Sequence, residues 1–244
     1  MKIYENLYLC GSGSSGFYSS DDLDCNSYLL ETEAGLVLID TGLGRNPELI
    51  EKNIREDGCT PEQITYILIT HGHADHAGGC SYFREKYKAR VIAPVYEADY
   101  IQNGDEEMLG LRAARAAGYY PEDYRFKPVR ADIKVSHGDV IRVGQYEFYF
   151  YEARGHSVGG VCCAAKRGAE TLFFSGDQIS YGGKISLQNI PGADIAAYAR
   201  TVKQMEDAGA DLFLPGHGMF CLKNGQRHID QAVRIFEKLI IPVA

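Results

Sequence analysis

Three of the seven histidines in the chain fall inside one six-residue window, and this is the feature of the sequence best suited to chemistry. The window reads His71-Gly72-His73-Ala74-Asp75-His76, so a carboxylate accompanies the three imidazoles. Neutral imidazole and carboxylate are ligands for zinc and iron. Since composition alone would not gather these side chains in so short a stretch, the window predicts a metal site.

Further ligand-type residues follow apolar segments of strand length elsewhere in the chain. His156, Asp177 and His217 each stand at the end of such a segment, and Asp40 follows the aliphatic run 36–39. A glycine lies within two positions of each of them and indicates a turn. Because catalytic groups collect at the carboxyl ends of strands in α/β folds, we expect these four side chains to meet the histidine window in space.

In order and type, these residues resemble the five motifs of the metallo-β-lactamase superfamily, over almost the whole chain. The resemblance implies two divalent metal ions, with zinc as the expected metal and iron or manganese as alternatives. It also implies a role for each residue. One ion would be held by His71, His73 and His156 and the other by Asp75, His76 and His217, with Asp177 bridging the two and Asp40 orienting the ligands through hydrogen bonds.

The sequence departs from the family pattern around one of these ligands. The stretch Arg154-Gly155-His156-Ser157 stands where the family usually has Pro-Gly-His-Thr, so the ligand is kept and the loop differs. Arg154 is a candidate contact for an anionic substrate, and an ion pair at the surface is the alternative.

The resemblance implies a hydrolase in which a hydroxide bridging the two metals attacks a small ester, lactone or thioester. Asp75 and Tyr181 are the catalytic candidates. Tyr181 lies four residues after Asp177 in a glycine-rich loop and is expected to donate a hydrogen bond to the oxyanion. A mononuclear iron dioxygenase of the persulfide type, a phosphodiesterase and a silent binding module are the alternatives.

Composition limits the classes of partner. The formal net charge of the 244 residues is -8, and Lys and Arg form no cluster, so a nucleic-acid partner is not expected. The sequence contains no run of 18 apolar residues and no signal-like start, and its seven cysteines lack CxxC spacing. We therefore expect a cytoplasmic protein with reduced thiols, a small-molecule substrate and no membrane contact, and a homodimer stays open.

The pattern of apolar residues alternates between strands and helices. Strands are predicted at 37–40, 66–70, 145–151, 161–165 and 171–174, and a turn at Gly138 divides a further strand region at 133–143. Helices are predicted from Asn46-Pro47 to Gly58, at 194–207 and at 226–240. The family fold, which the resemblance supplies, is an α+β four-layer αβ/βα sandwich of two mixed β-sheets flanked by helices.

We expect a single domain, residues 1–244, with a helical insertion at about 96–128. The insertion has a predicted helix at 105–117 followed by Gly118-Tyr119-Tyr120-Pro121, and these aromatic residues either determine specificity or pack in the core. The Gly/Ser-rich segment 10–20 is expected as a loop over the active site or as a surface turn. His137 and His228 are expected to be structural.

Overall fold

In the computed structural model, which describes residues 1–242, two β-sheets lie face to face between layers of helices. The first sheet contains, in spatial order, β1 (Lys2–Tyr4), β2 (Leu7–Gly11), β3 (Ser27–Thr32), β4 (Gly35–Ile39), β5 (Ile64–Leu68), β6 (Arg90–Pro94) and β7 (Ile133–Val135). The second contains β8 (Val140–Val143), β9 (Tyr146–Ala153), β10 (Gly160–Arg167), β11 (Glu170–Gly176) and β12 (Leu212–Pro215). Both sheets are mixed, since β4 to β7 are parallel in the first sheet and β11 and β12 are parallel in the second.

Three apolar cores separate four layers. The helices are α1 (Pro47–Glu56), α2 (Ala74–Ala77), α3 (Cys80–Tyr87), α4 (Ala98–Asn103), α5 (Leu111–Ala116), α6 (Ile195–Lys203) and α7 (Gln226–Glu237). The first core lies between the first sheet and the helices α1, α3, α4 and α5. The second lies between the two sheets, and the third lies between the second sheet and the helices α6 and α7. The predicted αβ/βα sandwich is therefore confirmed.

The strand β9 shows how one sequence serves two cores. Tyr146, Phe148 and Phe150 are buried between the sheets, whereas Tyr149 and Tyr151 pack on the opposite face, against the core of α6 and α7. This follows from the period of two in a strand, which sends alternate side chains to opposite faces. A strand that is apolar at almost every position is thus suited to the centre of a sandwich.

Three predicted helices are confirmed, with shorter ends. Pro47 begins α1, because the missing N–H of proline is harmless in the first turn. Asp194 caps α6 by accepting hydrogen bonds from the backbone N–H of Ala196 and Ala197 at 2.8 and 3.0 Å. The helices α6 and α7 end at Lys203 and Glu237, before the predicted ends at 207 and 240.

Two predictions of local structure are wrong. Segment 133–143 does not form two antiparallel strands of one sheet, since β7 pairs with β6 in the first sheet and β8 with β9 in the second. A turn at Gly138, with a φ of 86°, carries the chain from one sheet to the other. The predicted helix at 105–117 is limited to α5, because Gly104 and Gly110 take left-handed backbone conformations that end one helix and delay the next.

The expectation of a cytoplasmic protein drew on the cysteines and on the lack of a long apolar segment, and the structure describes both features. All seven cysteines lie in the described residues and are unpaired, and five of them are buried. Within residues 1–242, no helix combines the length and the hydrophobicity that crossing a bilayer requires.

Candidate metal centre

The candidate ligands lie at one edge of the sandwich, where strands from both sheets end. Asp40 directly follows β4, and His71 lies three residues after β5. In the second sheet, His156, Asp177 and His217 come within three residues of the ends of β9, β11 and β12. The structure therefore brings together all the residues that the sequence predicts as ligands.

Three of the imidazoles form a first group. His71 Nε2 lies 3.1 Å from His73 Nδ1, and His156 Nε2 lies 3.0 Å from the same atom. All three side chains are buried. Three ring nitrogens at this spacing surround one point, which is the arrangement that a zinc-type ion needs.

A carboxylate and two imidazoles form a second group next to the first. Oδ2 of Asp75 lies 3.1 Å from Nε2 of His217 and 3.8 Å from Nε2 of His76. The two imidazole nitrogens are 3.4 Å apart. This group also surrounds a single point, and its donor set is suited to a divalent cation.

Asp177 lies between the two groups. Its Oδ2 is 3.5 Å from His156 Nε2 and 3.4 Å from His217 Nε2, and its Oδ1 is 3.3 Å from His76 Nε2. Among the described residues, no hydrogen-bond donor serves the buried Oδ1. Since a buried carboxylate oxygen without a partner is unfavourable, this atom fits a metal ligand.

Hydrogen bonds on the outer side of two rings fix which nitrogen of His76 and of His156 is free. Nδ1 of His76 donates to Oδ2 of Asp40 at 2.8 Å, and Nδ1 of His156 donates to the backbone carbonyl of Ser186 at 2.8 Å. Both acceptors require the proton on Nδ1, so the lone pair of Nε2 points inward. The inner nitrogens therefore fit a bound cation, and Asp40 has the predicted position behind the ligands.

Asp40 also ties the first group to the second. It accepts hydrogen bonds from the backbone N–H and the hydroxyl of Thr70 at 2.8 and 2.7 Å, and that hydroxyl lies 3.1 Å from Nδ1 of His71. The backbone of Asp40 has a φ of 55°, which is uncommon outside glycine. Strained residues of this kind persist where the surroundings hold them in place.

Burial and charge divide four of the five imidazoles into two pairs. Burial lowers the pKa of His71 well below its usual value and that of His73 to about 3, so both rings are neutral at pH 7. Burial opposes a charge on His76 as well, but the Cys25 thiol and the surrounding carboxylates outweigh it and raise its pKa. The pKa of His217 is raised against burial by Asp177 and by Asp75. His71 and His73 are thus ready to ligate a metal, whereas His76 and His217 must release protons to do so.

A buried glutamate that sequence reasoning missed joins two ligand loops. Oε2 of Glu97 accepts a hydrogen bond from the N–H of Gly72 at 2.5 Å, and Oε1 accepts one from the N–H of Gly159 at 2.7 Å. Glu97 follows β6 by three residues, but no glycine lies within two positions of it, so it lacks the full pattern that marks the predicted acids. Gly72 separates His71 from His73, and Glu97 therefore anchors the histidine window from behind.

The insertion contributes directly to the centre. The hydroxyl of Tyr120 donates to Oδ1 of Asp75 at 2.8 Å, and both side chains are buried. The hydroxyl of Tyr124 donates to the backbone carbonyl of Leu43 at 2.8 Å. The tyrosines therefore pack in the core, and Tyr120 also orients a candidate ligand. A role of the insertion in specificity stays a prediction.

A cavity of about 610 Å³ opens above the two groups. Its floor carries His73, Asp75, Asp177 and His217. The remaining lining residues include Ser15, Leu109, Gly110, Ala113, Ala114, Ala117, Tyr119, Ser180, Ser186, Gln188, Asn189 and Ile190. The volume is typical of a small-molecule site.

The structure also shows where the two candidate substrate contacts, Tyr181 and Arg154, lie. Tyr181 is not among the lining residues; its ring lies 4.5 Å from that of His228 and its hydroxyl 3.4 Å from Nη2 of Arg227. An oxyanion contact for Tyr181 is a prediction that this placement does not support. Nε of Arg154 pairs with Glu152 at 2.8 Å, which is the structural alternative for that residue.

Other expectations concern residues away from the ligands. His228 is buried in α7, and its Nδ1 accepts a hydrogen bond from the N–H of Gly182 at 3.0 Å, as a structural histidine would. His137 is exposed and lies 6.1 Å from the ring of Tyr151. The segment 10–20 reaches the edge of the cavity through Ser15.

Comparisons with known proteins agree with the geometry. The family model described as the metallo-beta-lactamase superfamily matches residues 20–217. Acyl-coenzyme A thioesterase MBLAC2 of Homo sapiens is 28% identical over 221 residues, which cover 82% of this chain and 75% of the relative. A hydroxyacylglutathione hydrolase of Rhodopseudomonas palustris is 30% identical over 119 residues, which cover 47% of this chain and 36% of the relative.

Solved structures resemble the whole chain. A HARLDQ motif mutant of the metallo-beta-lactamase from Cronobacter sakazakii superposes with a TM-score of 0.74 at 24% identity, covering 98% of this chain and 95% of the other. A beta-lactamase from Chitinophaga pinensis gives a TM-score of 0.72 at 21% identity, with 98% and 91% covered. At this identity the likeness concerns the fold.

Proposed function

The chain belongs to the metallo-β-lactamase superfamily and is a metal-dependent hydrolase, and we propose that it hydrolyses small thioesters at a centre of two divalent ions, expected to be zinc. The observation that carries the proposal is the position of Asp177 between two ligand groups at the floor of a cavity. A carboxylate between the groups, with a buried oxygen that lacks a hydrogen-bond partner among the described residues, is suited to two cations.

We propose a thioester, and not another acyl compound, as the substrate because the relatives of this chain include thioesterases. A human acyl-coenzyme A thioesterase matches most of the chain, and an atrochrysone carboxyl ACP thioesterase of Aspergillus fumigatus is 26% identical over 211 residues. The names of both describe hydrolysis of a thioester. Lactones and oxygen esters belong to the same reaction class and are the comparison substrates.

The site residues have distinct tasks in the proposed reaction. When bound, the two ions would polarise the thioester carbonyl and lower the pKa of a water molecule. His71, His73 and His156 would present ring nitrogens to one ion, and burial keeps these rings away from bulk water. Thr70 and Asp40 hold the rings of both groups in one orientation, so little reorganisation is needed during the reaction.

Asp75 and Tyr120 form the hydrogen-bonded pair that would handle the proton of the attacking water. Hydrolysis forms a bond from water oxygen to the acyl carbon and breaks the carbon–sulfur bond. The attacking water loses a proton, and the sulfur leaves as a thiolate that keeps the electron pair and takes up a proton to become the thiol. Oδ2 of Asp75 faces the centre, whereas Oδ1 is fixed by the hydroxyl of Tyr120. Burial and the neighbouring Asp75 raise the pKa of Tyr120, so Tyr120 stays a donor and Asp75 an acceptor at neutral pH. We assign Oδ2 of Asp75 as the proton acceptor.

The test is a substrate panel on protein reconstituted with zinc, iron or manganese. Thiol release from acyl thioesters would be compared with hydrolysis of lactones and of a phosphodiester, and with oxygen consumption on glutathione persulfide. The proposal expects thiol release to be fastest and to stop after chelation. Faster phosphodiester cleavage, or oxygen consumption with one iron bound, would replace it with one of the alternative functions.

Matched histidine variants locate the reaction. His73→Ala removes a nitrogen that lies near both His71 and His156, so it should abolish turnover and lower the metal content. His137→Ala changes an exposed histidine in a turn and should leave both unchanged. Turnover that survives in His73→Ala would show that the reaction occurs elsewhere.

A further inference from the structure

One wall of the cavity is apolar and reaches the first ligand group. Three small residues in and next to α5 line it, together with two larger aliphatic residues: Ala113, Ala114, Ala117, Leu109 and Ile190. A methyl group placed on Gly110 would lie 3.1 Å from Cδ1 of Ile190 and 3.7 Å from Nε2 of His73. The apolar wall therefore continues to the point where the acyl carbon would be attacked.

Apart from the candidate ligand histidines, the cavity offers no basic side chain to an anionic acyl group. Among the lining residues, all of which lie in the described part of the chain, there is no Lys or Arg. The two arginines of α5 are engaged elsewhere, since Arg112 pairs with Glu107 at 2.9 Å and Arg115 pairs with Glu106. A charged group buried here without a partner would be strongly unfavourable.

Exposed apolar side chains accompany the lining residues along the chain. Tyr119 lines the cavity and is 52% exposed, and the exposed Leu187 lies between the lining residues Ser186 and Gln188. Phe17 and Met219 are also exposed, each two residues beyond a residue that lines the cavity. Apolar side chains are therefore exposed within two positions of the cavity lining at four points of the chain, as suits the entrance of a site for an apolar ligand.

We propose that the cavity binds the acyl part of the substrate as an uncharged apolar chain lying along α5, so that the enzyme prefers medium-chain acyl thioesters. This inference rests on the proposed function and names its substrate class. The neutral polar residues Gln188 and Asn189 would face the part of the thiol nearest the sulfur. Charged parts of the thiol would lie outside the cavity.

An acyl series on an uncharged thiol measures the preference. N-acetylcysteamine thioesters from acetyl to octanoyl would be assayed with the zinc-loaded enzyme, and a succinyl thioester would serve as the anionic comparison. Burial of each methylene should raise kcat/KM about fourfold until the cavity is full. Equal kcat/KM across the series, or a succinyl thioester hydrolysed as well as the butanoyl one, would overturn the proposal.

Alanine-to-leucine variants of one helix test the position of the chain. Ala113→Leu and Ala117→Leu fill the cavity side of α5 and should lower kcat/KM for octanoyl about tenfold or more, with little change for acetyl. Ala116→Leu alters an exposed residue of the same helix that is not among the lining residues, and should change neither. Equal losses for acetyl and octanoyl in Ala113→Leu would contradict binding along α5.

Binding of octanamide separates this inference from the proposed function. Calorimetry should detect octanamide binding to the wild-type protein and much weaker binding to Ala113→Leu. That result in a protein that hydrolyses no thioester would uphold the apolar site and reject the proposed reaction. Hydrolysis of the acetyl thioester without octanamide binding would uphold the reaction and reject the apolar site.

Discussion

The carboxylate of Glu97 accepts a hydrogen bond from the backbone N–H of Gly72 at 2.5 Å, although 25 residues separate the two in the chain. Its second oxygen holds Gly159, in the loop that carries His156. One buried side chain thus fixes the spacing of two loops that supply the three imidazoles of the first ligand group. A carboxylate suits this task because it accepts at both oxygens.

Replacing Glu97 should weaken metal binding without touching a ligand. Glu97→Gln turns an amide N–H toward one of the two backbone donors, and Glu97→Ala leaves both buried donors unpaired. Residues that support metal ligands typically change metal affinity 10–100-fold, and we expect a loss of about that size. Competition with a chelator would measure it.

The control for Glu97 is an acid in the first turn of α4, the helix that follows Glu97. Asp99 is exposed and pairs with Lys134 at the surface, so Asp99→Asn should leave metal affinity unchanged. Lower thermal stability of Glu97→Ala with unchanged metal affinity would mean that Glu97 supports the fold and does not position the ligands.

Sequence reasoning found the ligands because they either stand together in the histidine window or follow the end of a strand. The window around His73 and the residues Asp177 and His217 are recognisable by type, by order and by the glycines beside them. Glu97 and Tyr120 have no such pattern, because their importance depends on contacts across the fold. Tyr181 shows the opposite error, since closeness in sequence to Asp177 did not bring its hydroxyl to the cavity.

The fold was predictable where periodicity was strong. The amphipathic helices α1, α6 and α7 and the strands near the ligands follow from their apolar spacing. The pairing of β7 with β6 could not be read in this way, because a turn at Gly138 looks the same whether the chain returns to one sheet or crosses to another. The local pattern fixes the strands, and tertiary packing decides their partners.

Tyr120→Phe should weaken metal binding at the second ligand group more than at the first. The variant removes the hydroxyl that donates to Oδ1 of Asp75 and keeps the buried ring. Because this supports only the second ligand group, we expect a loss of about tenfold or more in affinity for one of two ions. A titration that resolves two binding steps would measure it.

A neighbouring tyrosine is the matched comparison for Tyr120. Tyr124→Phe removes a similar buried hydrogen bond, from Tyr124 to the carbonyl of Leu43, and neither residue is a candidate metal ligand. It should lower the free energy of unfolding by about 1 kcal/mol and leave both metal affinities unchanged. Equal effects of the two variants on metal binding would show that Tyr120 acts through packing.

Asp24 is a buried acid that supports the loop after Asp40. Its Oδ1 accepts a hydrogen bond from the N–H of Leu43 at 2.7 Å, and a methyl group on Gly42 would lie 2.4 Å from that oxygen. Burial raises the pKa of the Asp24 carboxyl from 3.8 to about 6, against the effect of its hydrogen bonds. The folded protein therefore holds a proton here that the unfolded chain releases between pH 4 and 6.

The stabilisation associated with this proton is full below pH 4 and is lost as the pH rises through 6, since the folded state binds more protons than the unfolded state in that range. Over the interval, the free energy of unfolding should fall by about 3 kcal/mol because of Asp24 alone. Asp24→Asn cannot titrate, so the difference between wild type and variant should shift by this amount between pH 4 and 7. Urea unfolding of both metal-free proteins would measure the shift, and a difference independent of pH would mean that Asp24 ionises normally in the folded protein.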